Sequence, residues 1–258
     1  MVGVTPKRKN MKIGIQLYSV REAIKEKGVE ETFKIVSESG YDCVEFAGFY
    51  GMTPSEMKAL LEKYHLNGFS AHIALDQIEE SLPYIDEIGI KSVYIPWMGE
   101  ETLFDAEGYQ GLIEKIKKVK PLLDQRGVKF GYHNHAHEYK GDIDKVYELI
   151  NDVDGFSSEL DIFWGTWATG DSVKLMEKYG DKLSAVHIKE LDKRSEKSAT
   201  EYPNAIVGEG KSGCKEVIEK ALSMGVDTFI LEVEIFPCGV QEYIEKSCAN
   251  IKKFAGVN

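Results

Sequence analysis

Long hydrophobic runs are missing from this 258-residue chain. No stretch approaches the roughly 18 apolar residues that a membrane span needs, and the opening MVGVTPKRKN lacks the apolar centre of a secretory signal, so no membrane association is expected and the expected location is cytoplasmic. Basic charge is scarce as well. Lys and Arg number 32 against 43 Asp and Glu, and the net charge of −11 opposes binding to nucleic acid, whose phosphates call for a concentrated basic face. The four cysteines (Cys43, Cys214, Cys238, Cys248) form no CxxC pair and are too sparse for a disulfide framework, which leaves reduced thiols. No GxGxxG follows the first apolar run and no arginines cluster, so neither a dinucleotide fingerprint nor a phosphate cradle is expected.

What the chain does contain is a repeated unit. Residues 1–10 are polar and basic and are expected to be a loose leader. From residue 11 to 258, short β-branched or aromatic runs alternate with segments of helical periodicity. The runs predict strands at 12–18, 43–47, 69–73, 92–97, 129–135, 158–163, 183–189 and 228–235. Helices between them begin at signals such as Thr53-Pro54 and Asp171 and stop at glycines such as Gly40 and Gly127. Eight strand-then-helix units with no linker composition between them predict an α/β fold, a single-domain (β/α)8 TIM barrel, for which about 250 residues is typical. A doubly wound open sheet is the alternative, and it needs no eighth unit.

Barrels of this kind carry their chemistry at the C-terminal ends of the strands. The ends here are rich in ionisable residues: Glu45, His72, His133 and His135, Asp161, His187 and Lys189, and Glu232 and Glu234, with Trp97 ending the fourth strand. So many titratable groups are costly to hold at one end of a packed barrel without partners, and a divalent metal is the simplest partner. A mixed carboxylate and imidazole shell suits Mn2+, Zn2+, Co2+ or Fe2+. Asp161, His187 and Glu232 come from three successive strands, and a fourth ligand from the fifth is either His133 or Glu138. The densest stretch, KFGYHNHAHEY (129–139), supplies both. Taken singly, His72 reads more readily as a hydrogen-bonded rim residue, Glu234 as a side chain facing outward, and Trp97 and Trp164 as either core or the wall of a sugar site.

The pieces QLYSVRE (16–22), VEFAGFYG (44–51), GYHNHAHEY (131–139), ELDIFW (159–164), VHIKE (186–190), VGEG (207–210) and ILEVE (230–234) resemble the xylose-isomerase-like superfamily of sugar isomerases and epimerases, related to inosose dehydratases and endonuclease IV. The resemblance extends over nearly the whole chain. It implies a metal shell of Glu, Asp, His and Glu from strands five to eight. Asp161, His187 and Glu232 match the last three, while His133 stands where simple epimerases carry glutamate and Glu138 is the alternative. It further implies a small-molecule sugar or polyol substrate, association into homo-oligomers, and proton transfer next to the carbonyl of a keto sugar through a metal-stabilised enediolate. Glu232 is then the expected base with His133 or His135 opposite, and Glu45, His72, Trp97 and Lys189 are expected to bind substrate. The rival chemistry is dehydration of a keto sugar or keto-inositol, with an imidazolium protonating the departing hydroxyl.

Overall fold

The computed structural model describes residues 11–257, so the expected leader, residues 1–10, lies outside the described residues. Eight parallel strands form the barrel: β1 (Lys12–Gln16), β2 (Cys43–Phe46), β3 (Asn67–His72), β4 (Ser92–Ile95), β5 (Lys129–His133), β6 (Phe156–Asp161), β7 (Leu183–Ile188) and β8 (Thr228–Leu231). Each pairs with the next, and β8 pairs back onto β1 with Lys12 opposite Thr228, which closes the sheet. Closure removes every exposed edge, and the helices cover the outside.

The sequence explains the connections locally. Thr53 accepts from the backbone N–H of Glu56 while the Glu56 carboxylate returns to Thr53, a reciprocal cap at the start of the helix Pro54–Lys63. Asp105 and Asp171 cap the helices Ala106–Asp124 and Ser172–Tyr179 in the same way through one oxygen. Apolar faces of these helices close over the buried strands, with Phe33, Met57, Leu112, Ile116, Val217 and Ile244 among the core residues.

Three departures from the sequence reading bear on the site. The fifth strand stops at His133 instead of running to His135, and the eighth stops at Leu231, so Glu232 and Glu234 lie on the segment just beyond it. Residues after Asp161 turn at once into a helix, Ile162–Thr169. The registry also slips twice, between Val44 and Glu45 on β2 and between Ser158 and Glu159 on β6. Such irregularities re-aim a side chain, and both fall at a glutamate with no exposed surface inside the barrel. Among the described residues, no helix is long and apolar enough to cross a membrane.

Candidate active site

Adjacent strands bring the ionisable residues side by side. Register places His133 of β5 opposite Glu159 of β6, and Asp161 of β6 opposite His187 of β7. The segment leaving β8 adds Glu232, whose Oε2 lies 2.7 Å from His187 Nδ1 and 3.8 Å from His133 Nε2. His133, Asp161, His187 and Glu232 each offer a ligand atom within 4.8 Å of all the others, and all four are buried. Asp161 has a divided role. Its Oδ1 caps the following helix, accepting from the N–H groups of Phe163 and Trp164, while its buried Oδ2 has no hydrogen-bond partner. An unpaired carboxylate oxygen facing two imidazoles and a second carboxylate is the donor set that a first-row divalent ion fits.

Beneath this group lies a second layer. Glu45 accepts from Gln16 Nε2 (2.9 Å) and Ser70 Oγ (2.6 Å), and its Oε1 takes the Nε2–H of His187 at 2.6 Å. Glu159 Oε2 pairs with His72 Nε2 at 2.7 Å and lies 3.2 Å from His187 Nε2 and 3.4 Å from His133 Nδ1, which has no hydrogen-bond partner of its own. Two carboxylates thus hold His187 by Nε2 and leave Nδ1 turned toward Glu232, the arrangement by which outer carboxylates fix a metal-binding imidazole. His72, His133, Glu159 and His187 form a second convergent group, sharing two histidines with the first.

The charges of the two layers are interdependent. Burial raises the Glu45 carboxyl, and the nearby Glu159 charge adds to the rise. Burial also opposes ionisation of Glu159, but His187, His133 and His72 together hold it well below the usual carboxylate range. Glu232 is held low against its burial by Lys189 and His187. Burial pushes Asp161 up to about 7, with Lys189 pulling against the rise and Glu232 adding to it. His133 is pushed down to about 4 by burial and by His187. Burial acts the same way on His72 and His187, yet the facing carboxylates outweigh it and raise both above the ordinary histidine range, His187 well above it.

Glu138 is not part of this convergence. Its Oε1 accepts from Tyr132 OH and its Oε2 from the N–H of His135, both at 2.8 Å, so it fastens the turn after β5 from inside. Asn134 secures the other side of that turn, accepting the N–H of Asp161 at 2.9 Å. Because the strand ends at His133, the chain bends away before Glu138 can reach Asp161, and His133 occupies the position for which both had been candidates. His137 donates its Nε2–H to the Met98 carbonyl at 2.8 Å, lies 3.4 Å from Glu138 Oε1, and stands outside the group, as its place beyond the strand end suggests.

A cavity of about 480 Å3 opens above the cluster, lined in part by His72, Trp97, His133, His135, Glu232 and Glu234. Trp97 is 57% exposed, so its indole is a wall of the cleft and not core. Glu45 and Lys189, expected to grip substrate, do not line this cavity. Glu45 lies under His187, and Lys189 is wholly buried with Nζ 2.6 Å from Glu234 Oε1 and 3.8 Å from both Asp161 and Glu232. Glu234 faces the cavity instead of outward. The sequence reading missed Glu159, although it sits two residues before Asp161 and strand alternation puts both on one face. It also missed Gln16, Ser70 and Asn134, whose polar partners are far away in sequence.

The long loop 190–211 is anchored rather than loose. Glu190 accepts from Gly208 N–H (2.8 Å) and Ser212 N–H (2.7 Å), and Asn204 accepts from the N–H groups of Glu234 and Ile235, tying the loop to the segment that carries Glu232. Gly210 in VGEG has a direct reason: a Cβ there would sit 2.2 Å from the Leu191 carbonyl oxygen.

With this geometry in place, known proteins supply the lineage. The model of the xylose isomerase-like TIM barrel family matches residues 33–254. The chain belongs to that family. Within it, an inosose dehydratase of Geobacillus kaustophilus (strain HTA426) is 23% identical over 192 residues, 63% of this chain and 62% of that relative, so the match spans less than two thirds of its length. A sugar phosphate isomerase/epimerase of Parabacteroides distasonis ATCC 8503 superposes with a TM-score of 0.76 at 20% identity, covering 98% of this chain and 96% of the other. A D-allulose 3-epimerase of Methylomonas sp. gives a TM-score of 0.74 at 12% identity over 95% of this chain and 98% of its own. At such identities these structures establish the shared fold.

Proposed function

We propose that this member of the xylose isomerase-like family is a metal-dependent sugar isomerase or epimerase, moving a proton at the carbon next to the carbonyl of a keto sugar or polyol derivative. The observation that carries the reading is the convergence of His133, Asp161, His187 and Glu232 beneath an open cleft that His133 and Glu232 line. In this reading those four residues hold one divalent ion (Mn2+, Zn2+, Co2+ or Fe2+), with His133 in place of Glu138. When bound, the ion would supply Lewis-acid polarisation of the substrate carbonyl.

The chain's own groups divide the proton work. Glu232 is kept ionised by Lys189 and His187 and reaches the cavity, which suits it to take a proton from carbon. An acid must stand ready on the other side. His133 is pushed down to about 4, and burial depresses His135 too, whereas the carboxylates of Glu45 and Glu159 raise His72, which also lines the cavity. His72 is therefore the better proton donor, a revision of the pairing of Glu232 with His133 or His135. Return of the proton to the opposite face gives an epimer, and return to the neighbouring carbon gives an isomer. Trp97 offers an apolar face to the ring carbons, and Glu234 a hydroxyl acceptor.

A second reading, dehydration of a keto sugar or keto-inositol, is favoured by the same His72, raised above the ordinary histidine range and able to protonate a departing hydroxyl, and by the inosose dehydratase relative. Product mass separates the two. Metal-loaded protein incubated with a panel of keto sugars and keto-inositols should return a product of unchanged mass in the first case. A product lighter by one water, absorbing in the ultraviolet as an enone, identifies the second, and no turnover of any member would refute both.

A further inference from the structure

The catalytic cleft does not end at Trp97. A second, larger cavity of about 720 Å3 lies on the far side of that side chain, and both cavities are lined by Ala74 and Trp97, so the two meet there. The first is lined by the ionisable groups His72, His133, His135, Glu232 and Glu234, which suit a sugar's hydroxyls. The second runs between the 3-10 turn Leu75–Gln77 and the helix Ala106–Asp124, and its lining is predominantly apolar, with Leu75, Met98, Leu112 and Val119 beside the carboxylates of Asp76 and Glu79. Lys115 and Lys118, which in the sequence look like a solvated helix face, stand on its rim. The helix is cut low on this side by Gly111, around which no atom lies within 4 Å of a Cβ position, so the groove is open at that point. Clefts of about 300–1,000 Å3 accept ligands well above monosaccharide size.

We propose that the substrate carries an apolar or aromatic appendage, such as the aglycone of a glycoside, that lies in this groove while its sugar ring occupies the cavity over His133 and Glu232. The inference rests on the sugar reading of the catalytic cleft. Trp97 is the hinge of the argument. Its indole is more than half exposed at the junction, and the Trp97-Met98 segment is held in place by His137, whose Nε2 meets the Met98 carbonyl at 2.8 Å and whose ring lies 5.9 Å from the indole. An aromatic plane fixed between a chamber lined by ionisable groups and a predominantly apolar one matches a ligand that changes character at that position. It also gives a use to the HNHAHEY turn beyond the metal group: its third histidine steadies the wall shared by the two chambers.

The test uses inert probes and equilibrium binding, so that it does not depend on turnover. Dissociation constants are measured by calorimetry for methyl β-D-glucopyranoside, phenyl β-D-glucopyranoside and phenol, on the full-length protein and on Gly111→Phe and Gly111→Ala. Gly111 lines the groove and not the catalytic cavity, and the open space around it, with the preference of helices for residues other than glycine, lets a larger side chain fit. The phenyl glucoside is expected to bind on the order of tenfold tighter than the methyl glucoside, about 1.4 kcal/mol. Gly111→Phe should abolish that advantage without changing methyl glucoside binding, and Gly111→Ala should keep it. Equal binding of the two glucosides, or a phenyl advantage that survives Gly111→Phe, would overturn the proposal and leave the sugar reading standing. Phenol binding that is lost in Gly111→Phe, with neither glucoside bound, would keep the groove's assignment and count against the sugar reading. Absence of binding by all three probes would overturn the groove.

Discussion

Replacing Glu159 by glutamine removes one charge from the floor of the site while keeping the shape of the side chain. In the native arrangement a single oxygen, Oε2, is hydrogen-bonded to His72 at 2.7 Å and lies 3.2 Å from His187 Nε2 and 3.4 Å from His133 Nδ1. An amide oxygen can accept the His72 hydrogen bond but carries no charge to hold the other two rings, and its NH2 group turns a donor toward rings that also donate. His187 keeps Glu45 at 2.6 Å, whereas His133 retains no other carboxylate on its Nδ1 side. Carboxylates that orient metal-binding imidazoles typically contribute 10–100-fold to affinity, so Glu159→Gln should weaken metal binding by about 1.4–2.8 kcal/mol. Glu45→Gln, which leaves His133 untouched, should cost less. The assay is competition of Mn2+ or Co2+ between the protein and a chromophoric chelator, with circular dichroism as the check on folding. An affinity of folded Glu159→Gln within about twofold of wild type would refute the idea that this carboxylate orients the ligands.

Three further outcomes follow from the geometry. Metal binding requires Asp161 and the Nδ1 of His187 to be free of protons, and both are held above their ordinary values, Asp161 at about 7. Binding should therefore release protons, and affinity should rise from pH 6 to pH 8, as read by titration in buffers of different ionisation heat; a pH-independent affinity would contradict the assignment. Glu138→Ala strands Tyr132 OH and the His135 N–H inside the protein and should destabilise it by about 1–3 kcal/mol per group in denaturant unfolding, with metal stoichiometry kept, whereas His133→Ala should lose the metal. The reverse pattern would restore Glu138 as the ligand. Gly210→Ala forces a methyl group against the Leu191 carbonyl and should cost about 1–3 kcal/mol, and an unchanged melting temperature would show that the 190–211 loop is not fixed there.

The barrel was legible because its signals are local and repeat: a β-branched or aromatic run and an apolar helix face recur through the eight units, and capping residues such as Thr53, Asp105 and Asp171 mark several of the helix starts. Asp161, His187 and Glu232 were legible because strand ends face one mouth. The choice between His133 and Glu138 was not. It turns on where β5 stops, and the alternating histidines of HNHAH look like a continuing strand, while the side chains that bend the chain away, Asn134 to Asp161 and Glu138 to Tyr132, act through tertiary contacts. Glu45 shows the same limit. Its partner His187 is 142 residues away, so its position beneath the His133, Asp161, His187 and Glu232 cluster, and not lining the cavity, has no local signature. Glu159 was the most recoverable miss, since the pleat that points Asp161 inward does the same for the residue two before it, although the slipped registry at Ser158/Glu159 weakens that rule.

The most direct test of the central claim is solvent deuterium incorporation. Metal-loaded protein is incubated in D2O with keto sugars and keto-inositols and followed by proton NMR at the carbon next to the carbonyl. The account expects exchange at that carbon for at least one compound, lost after chelation and reduced by orders of magnitude in Glu232→Gln. Exchange that continues undiminished in Glu232→Gln, or that is the same with and without metal, would contradict it.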